Sequence, residues 1–173
     1  ATISAHKIGG PLGVAALILK RGLDLTPVLH GGGQEREIRS GTLNAPSIVA
    51  FTAAAEYAIA NMASNFAKIR ELRDYFIAGL KKSVPDVSIN SVSDPALPGI
   101  VNATFPGTES DALLLLLDTE GISASAGSAC SAGVPRPSHV LVALGLSESD
   151  ADASLRISIG TTNTKSEIDQ VLA

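Results

Sequence analysis

NAPSIVAFTAAAEYAIANMASNFAKIRELRDYFIAGLKKSVP, residues 44–85, organises what lies on either side of it. Ile48, Phe51, Ala55, Ile59, Met62, Phe66, Ile69, Leu72, Phe76 and Leu80 recur every three or four positions. That spacing draws one apolar stripe along a helix. Asn44 suits an N-cap, Pro46 is tolerated in a first turn, and Pro85 cannot continue the hydrogen-bond ladder. The pattern predicts a helix over 45–83, bent near Asn61–Asn65. A helix so long in a chain of 173 residues links two lobes.

Working outward toward the amino terminus, residues 2–7 and 14–19 read as short strands around Gly9-Gly10-Pro11-Leu12-Gly13. Three glycines and a proline there supply positive φ and a fixed φ for a tight connection. The second strand is apolar on both faces, as in a strand buried within a sheet. Residues 20–43 read as loop. Toward the carboxy terminus, strands are expected at 87–91, 100–105, 122–124 and 155–159. Thr108-Glu109-Ser110-Asp111 and Thr164-Lys165-Ser166-Glu167 have the spacing of capping boxes. They open helices over 109–119 and at the chain end. Shorter helices fit Ser138–Leu144, closed by Gly145, and Ser147–Asp152. A loop over 125–137 carries Cys130. Strands alternating with helices make this an α/β organisation, divided as 1–44, 45–83 and 84–173.

Composition sets limits on function. With 45% hydrophobic and 17% charged residues the chain is an ordinary globular mix, able to bury roughly 70% of its unfolded surface. A net charge of −4 argues against nucleic acid or an anionic membrane as partner, since both need a dense basic patch. The longest apolar run, Ala112 to Leu117, is fenced by Asp111 and Asp118 and is far too short to span a bilayer. A single cysteine cannot form an internal disulfide, which fits a cytoplasmic protein. One cysteine and three scattered histidines show no metal-ligand spacing, so no metal site is expected. The chain opens at Ala1 without methionine, and Lys7 follows almost at once. It reads as the carboxy-terminal part of a longer protein.

Two residues could carry chemistry. Lys7 lies in Ser4-Ala5-His6-Lys7-Ile8-Gly9-Gly10-Pro11-Leu12-Gly13, beside a hydroxyl, an imidazole and glycine-turn amides that can bind an anion. A lysine amine condenses with a carbonyl only when neutral. Cys130 lies among Ser, Ala and Gly, with no apolar side chain larger than alanine until Val134. Such a segment forms little core, so the thiol is expected to be exposed and mobile. A plain surface lysine and a small buried thiol are the structural alternatives. His139, opening a short helix, and His30, before three glycines, have bland explanations of the same kind.

The lysine segment resembles that of the cysteine desulfurases, pyridoxal-phosphate enzymes of the fold-type-I (class V) aminotransferases. Three further stretches are similar to theirs and stand in the same order. These are His30-Gly31-Gly32-Gly33-Gln34-Glu35-Arg36 with Arg39-Ser40-Gly41-Thr42-Leu43-Asn44, then Gly127-Ser128-Ala129-Cys130-Ser131 with Pro137-Ser138-His139-Val140-Leu141, and Leu155-Arg156-Ile157-Ser158-Ile159-Gly160. The resemblance implies the carboxy-terminal portion of a fold-type-I transferase: the end of the large cofactor-binding domain (1–44), a linking helix (45–83) and a small α+β domain (84–173).

By the same resemblance, Lys7 holds pyridoxal 5′-phosphate and moves protons. Ser4 and His6 contact its phosphate, and Thr42 contacts the phosphate of the other subunit of a homodimer. Arg156 clamps the substrate carboxylate. Cys130 receives sulfur from L-cysteine as a persulfide and releases L-alanine, serving iron–sulfur assembly through a scaffold protein or a tRNA-thiolating partner. Residues that stack on the cofactor ring precede the lysine motif in the family, so this chain alone is expected to be inactive. Ala15 and Glu37 stand where the family carries glycine, and Glu37 puts a bulky acid in a turn that wants positive φ. Thr161 stands in place of an arginine. A selenocysteine or cysteine-sulfinate lyase, or a non-catalytic module that docks a scaffold, are the alternatives.

Overall fold

The computed structural model describes residues 1–91, 96–127 and 137–173. They form two compact units, Ala1–Ala63 and Ser64–Ala173. Helix α1 (Ala45–Ser83) contributes to both and runs 39 residues without a break. Its start is as the sequence predicts: Asn44 Oδ1 accepts the Ser47 amide at 3.2 Å. It stays helical through Asn61–Asn65. Asn61 turns its side-chain amide onto the Tyr57 carbonyl one turn back (2.9 Å).

In the first unit, β1 (Thr2–Ser4) pairs antiparallel with β2 (Ala15–Leu17), with Ser4 opposite Ala15. The strand expected through residue 7 stops at Ser4, and Ala5–Ile8 instead forms a turn of 3₁₀ helix. Backbone hydrogen bonds that close the glycine-rich turn decide this. Ala5 N donates to Val14 O (3.1 Å) and Gly10 N to Ala5 O (2.9 Å), which pulls the chain back on itself. Gly9 supplies the left-handed exit at φ 83°. β2 was expected inside a sheet, yet among the described residues its sheet has two strands, and Leu17 and Ile18 remain 52% and 56% exposed.

The second unit holds a three-stranded antiparallel sheet in the order β3 (Ser88–Ile89), β4 (Ile100–Thr104), β5 (Ser154–Ser158). Across β4 and β5, Val101 faces Ile157, Asn102 faces Arg156, and Thr104 faces Ser154. Side chains alternate along a strand, so the sheet has two unlike faces. Val101, Ala103 and Ile157 share the apolar one and pack with Leu72, Phe76 and Leu80 of α1 and with Ile168 of α5 (Lys165–Leu172). Asn102, Thr104, Ser154 and Arg156 share the polar one. Helices α1 and α5 approach closely at Gly79, where a Cβ would overlap Leu172 Cδ1. The apolar stripe of α1 is therefore used unevenly. Phe76 is 2% exposed within this core, whereas Ile59 and Met62 are 72% and 51% exposed.

The helix starts show which local signals are realised. Thr164 forms the full reciprocal box, its Oγ1 accepting from Glu167 N while its own N–H donates to Glu167 Oε2 (2.7 Å). That backbone bond, helped by the Asn163 amide, holds the Glu167 carboxyl below its usual range. Thr108 does not cap. Its hydroxyl donates to the Phe105 carbonyl (2.7 Å), and α2 (Ser110–Thr119) begins after Glu109, which makes no side-chain cap bond. α3 (His139–Ala143) and α4 (Glu148–Asp152) appear near their expected places. The strand expected over 122–124 reduces to one antiparallel bridge between Ser125 and Arg156. No helix among the described residues is long and apolar enough to cross a membrane.

Candidate functional site

The lysine motif is a turn wound around one small side chain. Ala5 is fully buried (0% exposed), and the chain on either side is tied to it by the Val14 and Gly10 backbone bonds. Gly10 is tightly placed, since a Cβ there would sit 3.0 Å from Ala5 Cβ. With Ala5 inside, His6 and Lys7 project from the exposed side of the turn, and Ser4, half-buried, ends the strand before it. No acidic residue occupies the first turn of this 3₁₀ segment. A primary amine, a hydroxyl and an imidazole thus lie within four residues, on a turn with no acid of its own. That donor set fits a ligand carrying both an aldehyde and a phosphate.

Thr42 lies at the end of a second loop of the same unit. Leu29 and Arg39 form a parallel bridge, Ser40 N donates to Leu29 O (3.2 Å), and Gly41 N donates to Gln34 Oε1 (2.9 Å). Ser40 is buried by this closure, and Thr42, two residues on, is exposed, as is His30. Between the closing bonds the chain passes through three consecutive left-handed residues, Glu35 (φ 50°), Arg36 (φ 57°) and Glu37 (φ 63°). Glu37 is therefore a bulky acid in a turn of positive φ, the conformation expected for it. A left-handed non-glycine residue costs about 1–2 kcal/mol, and glycine recovers that less about 0.5–1 kcal/mol of added chain entropy. Glu37→Gly is expected to raise the melting temperature by about 1–3 °C in a thermal scan. A fall in the midpoint would show that the Glu37 side chain stabilises the loop more than its backbone strains it.

Arg156 sits on β5 in the other unit, with its side chain exposed. The only ion pair among the described residues joins Arg73 to Asp74 (2.7 Å), so the Arg156 guanidinium has no carboxylate partner there. Its backbone is fully used: Arg156 N donates to Ser125 O (2.7 Å) and Ser125 N donates to Arg156 O (3.1 Å). On its other edge Arg156 faces Asn102 of β4. Sequence reading passed over both Ser125 and Asn102, because strand register is not visible in a linear pattern. Cys130 lies outside the described residues, as does most of its loop. His139 begins α3 and is exposed. Among the described residues no group of three His, Cys, Asp or Glu side chains is placed to hold a metal ion.

Lys7, His6, Ser4 and Thr42 thus come from one compact unit and Arg156 from the other. The chain is 46% identical over 172 residues to an IscS-like cysteine desulfurase of Mycobacterium tuberculosis, covering 99% of this chain and 44% of that protein. A solved NifS-like protein from Rickettsia africae superposes with a TM-score of 0.87 at 38% identity, over 99% of this chain and 44% of the other. SspA, solved in complex with cysteine, superposes with a TM-score of 0.68 at 34% identity, over 94% of this chain and 44% of the other. The chain spans a little under half the length of these relatives, and its fold is that of the fold-type-I α/β enzymes. The model of the aminotransferase class-V family matches residues 1–171, and the chain belongs to that family.

Proposed function

We propose that the protein containing these residues is a pyridoxal-phosphate-dependent cysteine desulfurase that moves the sulfur of L-cysteine onto Cys130. The supporting observation is the reciprocal Ser125–Arg156 bridge. It ties the described stretch that precedes the cysteine segment to the strand that presents a guanidinium with no carboxylate partner among the described residues. Cys130 follows Ser125 by five positions, and extended chain gains about 3.3 Å per residue, so the Cys130 backbone is tethered within about 17 Å of that bridge. Sulfur abstraction needs a carboxylate-binding group and a nucleophile within reach of one substrate.

In this reading Lys7 Nζ would hold the cofactor and would carry a proton between steps. Ser4 Oγ and the His6 ring orient the phosphate, and Thr42 serves the phosphate of a second copy in a homodimer. Pyridoxal phosphate, when bound, supplies an electron sink for charge developing at the substrate α-carbon. Arg156 grips the substrate carboxylate through its planar fork. The Cys130 thiolate bonds to the substrate sulfur as the carbon–sulfur bond breaks. The electron pair stays on carbon, which takes up a proton to give L-alanine, and Cys130 is left as a persulfide. An acceptor protein, a cluster scaffold or a tRNA-thiolating enzyme of the cytoplasm, then collects that sulfur.

Cys130→Ala in the intact protein tests this. Alanine release from L-cysteine is expected to fall by on the order of 100-fold or more, the scale of losing a covalent nucleophile. The unsubstituted protein should carry one extra sulfur on the Cys130 peptide by mass spectrometry. Undiminished turnover of L-cysteine by the variant would overturn the proposal in favour of a lyase that needs no thiol.

A further inference from the structure

The polar face of the sheet carries a hydrogen-bond chain whose direction can be worked out from one end. It begins at the backbone carbonyl of Asp150, which can only accept. Ser154 Oγ donates to that carbonyl at 2.6 Å, which uses its single proton. The Thr104 and Ser154 hydroxyls lie 2.7 Å apart, so the proton between them must come from Thr104. Thr104 Oγ1 can then only accept from its next neighbour, and that neighbour is Asn90 Nδ2 at 2.8 Å. The Asn90 amide therefore presents nitrogen, not oxygen, to the cluster, and its second N–H reaches Asn102 Oδ1 at 2.7 Å. Asn102 is held with its oxygen turned toward Asn90. Its own NH₂ group is directed away from the chain and has no acceptor among the described residues.

That free donor is next to Arg156. Asn102 and Arg156 are direct cross-strand partners. Arg156 spends its backbone N–H and C=O on Ser125, on its opposite edge. Asn102 and Arg156 are therefore a non-hydrogen-bonded pair, the kind whose side chains lie closer, on one face, with Cα atoms about 4.5 Å apart. An amide N–H pair and a guanidinium side by side, both lacking an acceptor among the described residues, form a donor array matched to a carboxylate. We propose that Asn102 is a second binding residue for the substrate carboxylate, donating through Nδ2 beside Arg156, with its amide orientation set by the relay from Asp150 through Ser154, Thr104 and Asn90. This rests on the carboxylate-binding reading of Arg156.

The test is titration calorimetry on the intact protein with 3-mercaptopropionate, and with its neutral amide as control. Asn102→Ala is expected to weaken binding of the carboxylate about tenfold or more, the scale of a hydrogen bond to a charged group, and to leave the amide ligand unchanged. Asn102→Asp keeps an oxygen for Asn90 and so preserves the strand if alanine does not. It sets a like charge against the ligand and should weaken the carboxylate further than alanine does. Equal affinity in Asn102→Ala and Asn102→Asp as in the parent would overturn the proposal, and so would equal weakening of both ligands. Arg156→Gln separates the two readings. If it weakens carboxylate binding while the Asn102 variants do not, only the role of Asn102 fails. If it too has no effect, the carboxylate site itself is wrong and the inference falls with it.

Discussion

Lys7→Ala in the intact protein is expected to abolish covalent cofactor capture and to lower alanine release from L-cysteine by on the order of 10²–10⁴-fold from lost proton transfer alone. The structure makes this a clean substitution. Lys7 is exposed, and its side chain has no hydrogen bond or ion pair with any described residue. The turn that carries it is held by backbone bonds of Ala5 and by the buried Ala5 methyl group, not by the lysine. Folding should therefore survive, and circular dichroism of the variant should match the parent. The readout is visible absorbance after cofactor addition and borohydride reduction. The parent should retain cofactor covalently on the Lys7 peptide, and the variant should retain none. Retention on another lysine, with activity intact, would displace Lys7 from the role proposed for it.

Phe76→Ala is expected to produce the largest loss of stability from one substitution in the Ser64–Ala173 unit. Phe76 is 2% exposed and lies in a cluster with Leu72, Leu80, Val101, Ala103, Ile159 and Ile168. Removing a buried aromatic side chain costs about 3–5 kcal/mol, because transfer energy is lost and the neighbours close the cavity only in part. Urea unfolding should show the midpoint falling with the slope nearly unchanged. By contrast Ile59→Ala, on the same helical stripe but 72% exposed, should move the midpoint by less than about 0.5 kcal/mol equivalent. Similar losses at the two positions would mean that the exposed half of the stripe is buried in solution.

The comparison of those two positions shows how a periodic pattern can be right about structure and silent about burial. Phe76 and Ile59 belong to the same stripe, and the stripe did announce α1. Burial depends on whether a partner surface faces that part of the helix, and the partner for Phe76 is built from β4, β5 and α5, residues with no fixed spacing from it. Helix starts divide in the same way. Thr164 caps, its Oγ1 accepting the Glu167 amide. Thr108 does not, its hydroxyl being turned back to donate to the Phe105 carbonyl. Both had the same four-residue signature.

The site divides between what is local and what is not. The residues proposed to bear the chemistry could be picked out in the chain, since an amine, a thiol and a guanidinium are properties of single residues set in recognisable neighbourhoods. The positive φ at Glu37 was also legible, because backbone conformation is set within a few residues. Only the tertiary structure decided that Lys7 leaves its strand for a 3₁₀ turn, that Ser125 is bonded to Arg156, and that the Asn102 amide points its nitrogen outward. The first follows from backbone bonds that close the turn onto Ala5, and the other two from hydrogen bonds between segments far apart in sequence. The direction of such a bond is set by which group holds the last available proton, and that requires the whole chain of partners to be in place.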